Sequence, residues 1–192
     1  MSLTLHQHPF AAYCWKALIA LYERDVPFTA ELVEGDRSAL AALWPPATLP
    51  VLVDGDTVVA ESSTVVEYLD RHGDAPPLIP ADRDAALRAR MWDRVIDGQV
   101  MTPMQAIVFD ALRAAEAKNA YDVAQARAKL DDAYAFLDAR WPAGETAFTL
   151  ADCAAAPALH YADVVHPIDR TAHPTLAAYL DRLFARPSVA RT

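Results

Sequence analysis

The sequence predicts an α/β domain followed by an all-helical one. Up to about residue 72 the hydrophobic period switches between that of strands and that of helices; beyond about residue 84 it is helical throughout. Between the two lies Gly73-Asp74-Ala75-Pro76-Pro77-Leu78-Ile79-Pro80, whose prolines cannot continue a helix. The chain has 192 residues, 54% of them hydrophobic, enough apolar material for one large domain or two small ones. The expected division is a first domain over residues 1–74, a linker over 75–83 and a helical domain over 84–192.

Each element follows from its local pattern. Leu3-Thr4-Leu5-His6 alternates as a strand does. From Ala12 to Arg24, Cys14, Leu18, Leu21 and Tyr22 fall on one face of a helix. Pro27 to Val33 reads as a second strand, and residues 36–44 as a short irregular helix. Val51-Leu52-Val53 and Thr57-Val58-Val59 flank Asp54-Gly55-Asp56, a strong hairpin signal. A helix over about Ser63 to Arg71 completes the order βαβ, α, ββα. Further helices are expected at about 84–118, 121–140, 150–165 and 174–186. Leu130, Tyr134, Leu137 and Trp141 give the second of these its inward face. Pro103 sits inside the first, which predicts a kink or break near Met101-Thr102-Pro103-Met104.

Composition narrows the function. Of the net charge of −9, residues 1–80 carry −7, with 4 Lys and Arg against 11 Asp and Glu. Neither half has the basic stripe that a phosphate backbone demands, so no nucleic-acid partner is expected. No apolar run approaches the roughly 18–20 residues of a membrane helix. The first residues lack a basic n-region and a long apolar core, so the expectation is a cytoplasmic protein with reduced thiols and no signal peptide. His160, His166 and His173 lack metal-ligand spacing, and no metal site is expected.

Three stretches, in this order and spacing, resemble the cytosolic glutathione transferases, in particular their bacterial members. They are His8-Pro9-Phe10-Ala11-Ala12-Tyr13-Cys14-Trp15-Lys16, then Thr48-Leu49-Pro50-Val51-Leu52 leading through the hairpin to Glu61-Ser62-Ser63, then Thr149-Leu150-Ala151-Asp152. The resemblance covers nearly the whole chain. It implies a thioredoxin-like α/β domain followed by an all-α domain, the glutathione transferase fold. Glutathione as a substrate, a small hydrophobic electrophile and a homodimer are implied with it.

The resemblance assigns residues as well. It implies a cis bond at Leu49-Pro50, with the backbone of Leu49 pairing with the cysteinyl part of glutathione. A cis X–Pro bond costs only about 0.5–1 kcal/mol; the residues alone equally allow an ordinary proline opening a strand. Ser62, at a helix start, is matched to the γ-glutamyl carboxylate and Glu61 to the α-ammonium. Plain capping is the other reading, since Thr64 and Glu67 have capping-box spacing. In Thr149-Leu150-Ala151-Asp152 the capping box is itself the function. Phe10, Met101, Met104 and Phe109 form an apolar set that lines the electrophile pocket or else belongs to the core.

The pattern breaks at two places. The Ser or Cys that opens the first helix in the family falls on Ala11, which has neither hydroxyl nor thiol, so the catalytic residue is unassigned. Cys14, three residues on, reads as a core thiol. At Thr48 many family members have a Lys for the glycyl carboxylate, and threonine cannot supply that charge. A helix N-terminus alone leaves a thiol pKa near about 8, whereas an added hydroxyl donor brings it to roughly 6–7. Two functions follow as expectations: a glutathione transferase, weakened at Ala11, or a transferase-fold protein that binds a ligand or partner without turnover.

Overall fold

The computed structural model describes residues 3–142 and 147–192. Its first half holds β1 (Leu3–Gln7), α1 (Ala12–Glu23), β2 (Phe28–Leu32), α2 (Ser38–Leu43), β3 (Val51–Asp54), β4 (Thr57–Ala60) and α3 (Ser62–Leu69). The strands form one mixed sheet in the order β2-β1-β3-β4. β1 is parallel to β2 and antiparallel to β3, which is antiparallel to β4. The β3–β4 turn is the expected hairpin, with Gly55 taking the left-handed φ of +58° that its tight loop requires.

Register decides what meets at the end of this sheet. Val51 pairs with both His6 and Ala60, and Gln7 pairs with Leu32. The chain therefore leaves β1 toward α1, enters β3 from Leu49-Pro50 and leaves β4 toward α3 at one common end. α1 is buried on most of its surface, more than a one-faced pattern predicts, because it packs against α3 and against the Leu150–Val165 helix of the second half.

The second half is all helix: α4 (Arg83–Ile96), α5 (Thr102–Ala111), α6 (Ala120–Arg140), α7 (Leu150–Val165), α8 (Pro174–Phe184) and α9 (Pro187–Ala190). The break expected near Met101–Met104 lies one turn earlier, as a π-helical turn over Asp97–Met101. The displacement follows from Pro103, whose missing N–H and ring disturb the carbonyls a turn upstream. Thr102 Oγ1 donates at 2.9 Å to the Asp97 carbonyl oxygen, which also accepts the Thr102 N–H. The helix also stops at Ala111, short of the expected residue 118. Buried Asp110 accepts the Asn119 N–H at 2.7 Å and folds the chain into the next helix.

Core helix α7 starts on the expected capping box. Thr149 N–H donates to Asp152 Oδ2 at 2.8 Å, and Tyr179 OH donates to Asp152 Oδ1 at 2.9 Å, so both oxygens are used. Burial raises the Asp152 carboxyl pKa, and these bonds counter it. The connection between the halves is equally tied down. Asp70 accepts the Leu78 and Ile79 N–H groups, and Leu150 N–H donates to the Leu78 carbonyl. Buried Arg24 donates to the carbonyls of His72 and Gly73 at 2.6 and 3.1 Å.

Gly73 has a φ of +70°, and a Cβ there would lie 2.5 Å from the Arg24 carbonyl oxygen. Gly73→Ala should therefore cost about 2–3 kcal/mol. That predicts a fall in Tm of roughly 4–12 °C by thermal unfolding, with the backbone clash relieved only by moving the connection.

Candidate functional site

α1 begins without help from its side chains. Its N-cap, Ala11, has an extended backbone and makes no side-chain cap. The Ala11 N–H donates to the His8 carbonyl at 3.0 Å, while the Cys14 and Trp15 N–H groups return to the Ala11 carbonyl at 2.8 and 3.3 Å. The amides of Ala12 and Tyr13 have no hydrogen-bond partner among the described residues. The positive end of α1 is thus open where a hydroxyl-bearing residue would otherwise fill it.

α3 begins in the same way, and under strain. Its N-cap, Glu61, has a φ of +66° and makes no side-chain cap, while Ser62 opens the helix and is buried. A non-glycine residue held there costs on the order of 1–3 kcal/mol. The capping-box alternative does not form: Glu67 instead takes a bidentate pair from Arg90, at 2.9 and 2.8 Å. That pair holds the Glu67 carboxyl below its usual range.

The third component is the chain entering β3. The Leu49-Pro50 bond is cis, and the ladder begins only at Val51, so the Leu49 backbone lies beyond the sheet's own pairing. Thr48 is exposed and accepts a hydrogen bond from Trp44 Nε1 at 3.1 Å. Arg37, the N-cap of α2, donates to the carbonyl of Ala47 at 3.2 Å. It brings a guanidinium next to Thr48, where the sequence lacks a lysine. Only the fold reveals this, because α2 is short and Arg37 stands eleven residues away in the chain.

The expected pocket residues do not gather into one patch. Met101 and Met104 are buried in the core, Phe10 is 82% exposed in the turn before α1, and Phe109 is 57% exposed on α5. The aromatic side chains beside the start of α1 are others. Trp15 Nε1 donates to the Pro9 carbonyl at 2.8 Å, and its ring lies 5.2 Å from those of His160 and Tyr161. Phe184 meets His160 edge-on at 5.9 Å. Trp15 is placed four residues after Ala11, a spacing that could have marked it; the α7 partners join it only through packing.

Neither cysteine is poised to react. Cys14 is fully buried, and burial pushes its thiol up to about 11. Cys153 is buried in α7 with its thiol raised for the same reason. Burial, with the Asp97 carboxylate adding to it, pushes the Tyr13 phenol up to about 12, so it remains a protonated hydroxyl. Among the described residues no group of three His, Cys, Asp or Glu could hold a metal ion. No helix among them is long and apolar enough to cross a membrane.

The chain is similar to known proteins over most of its length. Residues 5–77 match the family model described as glutathione S-transferase, N-terminal domain, and residues 86–182 match the glutathione S-transferase, C-terminal domain. A stringent starvation protein A homologue from Coxiella burnetii is 31% identical over 82% of this chain and 74% of its own. Its counterpart from Pasteurella multocida is 30% identical over 97% and 87%. A glutathione transferase family member from Pseudomonas fluorescens Pf-5, solved with bound glutathione, superposes with a TM-score of 0.88. It is 30% identical and covers 100% of this chain and 98% of its own. A glutathione S-transferase from Methylobacterium radiotolerans, in complex with glutathione sulfonate, gives 0.85 at 30% identity, over 100% and 94%.

Proposed function

The chain belongs to the glutathione S-transferase family, and on that premise we propose that it binds glutathione and joins it to, or uses it to transform, a hydrophobic electrophile. One observation carries the reading: the open starts of α1 and α3 and the unpaired Leu49 backbone converge at one end of the sheet. Residues 1–74 then hold glutathione, 75–83 connect, and 84–192 wall the electrophile. Leu49 pairs with the cysteinyl backbone, Ser62 takes the γ-glutamyl carboxylate and Glu61 the α-ammonium. Thr48 and Arg37 face the glycyl carboxylate. Trp15 and Tyr161, together with Phe10, supply apolar surface for the electrophile.

Glutathione's own sulfur is the nucleophile, so the protein's part is to orient it and to favour its thiolate. With Ala11 in place, the α1 amides and the helix dipole are the donors that do so. This gives a weak transferase. The second reading, a binding protein without turnover, draws on the same Ala11, and on the 30–31% identical relatives being called stringent starvation protein A homologues. Cytoplasmic placement and a homodimer complete the proposal. The dimer is supported by Leu87 and Met91, exposed one turn apart on α4; sedimentation as a monomer at micromolar concentration would refute it.

Two experiments test the site. By calorimetric titration, Glu61→Ala should weaken glutathione binding roughly five- to thirtyfold, and Arg37→Ala about three- to tenfold with reduced salt dependence. Unchanged affinity in both variants would place the tripeptide elsewhere. Ala11→Ser adds a hydroxyl where the backbone is already extended for a cap. It should lower the bound thiol's pKa by about one to two units and raise turnover of an aromatic electrophile near neutral pH roughly tenfold. A variant that binds glutathione but shows neither change refutes the role given to position 11, and turnover that stays nil favours the binding protein.

A further inference from the structure

A cluster of buried charges lies where α1, α3 and α4 meet. Lys16, on α1, is 1% exposed. Its ammonium donates to the Asp93 carboxylate and, at 2.8 Å, to the Ser63 hydroxyl, with the Asp97 carboxylate at 3.5 Å. Ser63 donates in turn to the second Asp93 oxygen at 2.8 Å. Arg94 lies 3.5 Å from Asp97 Oδ2, and Asp97 Oδ1 is buried with no hydrogen-bond partner among the described residues. Lysine, serine and Asp93 thus form a closed triangle across three helices from both halves of the chain.

Stability alone is a poor explanation for this arrangement. Desolvation costs several kcal/mol per ion, and apolar side chains of similar volume often hold such a position as well or better. The orphaned Asp97 oxygen adds to that cost. What the triangle supplies is a fixed position. Ser63 is the second residue of α3, adjacent to Ser62. The same turn has no side-chain cap and begins on Glu61 at φ +66°, a conformation that persists only when its surroundings over-determine it. Lys16 and Asp93 grip that turn from outside. Lys16 itself stands five residues from Ala11, on the helix whose start serves the thiol.

We propose that Lys16 is a positioning residue for glutathione: by locking the Ser63 hydroxyl against Asp93, it sets the first turn of α3 at a fixed distance from the start of α1. The two ends of one ligand, thiol and γ-glutamyl carboxylate, are thereby held in register. This rests on the assignment of the α3 start to the γ-glutamyl group. It adds that the helical half reaches the glutathione site through a buried ion pair, without touching the ligand.

Ser63→Ala tests it, since it removes one hydroxyl and leaves the charges in place. Glutathione Kd should rise about five- to tenfold by calorimetry, while KM for the electrophile stays within about twofold. Ser63→Thr, which keeps the hydroxyl, should bind nearly as the wild type does. Lys16→Met, where it folds, should lose at least as much affinity as Ser63→Ala. A Ser63→Ala protein with a lowered Tm and unchanged glutathione Kd would overturn the inference alone, showing a bolt between domains and nothing more. A threonine variant as weak as the alanine one would also overturn it. Wild-type protein that binds no glutathione would remove the site, and the inference with it.

Discussion

Helices α1 and α3 both start on a residue that gives the first-turn amides no side-chain acceptor, Ala11 and Glu61. Of the other helices, α4, α6 and α7 are capped by Asp82, Asn119 and Thr149, whereas α2, α5, α8 and α9 have no side-chain cap of their own. α5, α8 and α9 instead carry a proline in their first turn, which removes one of the amides to be satisfied. α1 and α3 have neither cap nor proline, and both begin at the sheet end that Leu49-Pro50 also reaches. Open amides on a helix dipole are donors held ready for an anion. Leaving them open costs stability, which the rest of the fold must supply through the all-round burial of α1 and the capped core helix α7.

That arrangement also resolves the charge problem of the first half. A balance of −7 over residues 1–80 is a poor background for an anionic tripeptide. Local donors outweigh the average: two helix starts and the Arg37 guanidinium beside Thr48. Charges within a few ångströms in a partly dry site act far more strongly than those spread over the surface beyond a Debye length of about 8–10 Å.

Much of this was legible in the order of residues. The strand–helix alternation, the Asp54-Gly55-Asp56 turn, the capping box at Thr149 and the layout of two halves all rest on local chemistry, and they stand in the structure as read. Where the reading slipped, the cause was tertiary. Pro103 displaces its break by a turn, because the disturbed carbonyls lie upstream of it. Met101 and Met104 share a stretch with pocket-forming chemistry yet face the core. Lys16, a conventional surface residue by type, is buried because two aspartates about eighty positions later reach it. Arg37 and the Trp15–Tyr161 contact depend on chain crossings that no spacing encodes.

The central claim is that backbone groups at one end of the sheet bind glutathione. A crystal structure of the protein soaked with glutathione tests it most directly. The claim predicts the γ-glutamyl carboxylate at the Ser62 amide and hydroxyl, the cysteinyl backbone against Leu49, and the sulfur within hydrogen-bond distance of the Ala12 or Tyr13 amide, near 3.5 Å or less. Glutathione bound away from Leu49 and Ser62, or absent at millimolar concentration, would contradict it.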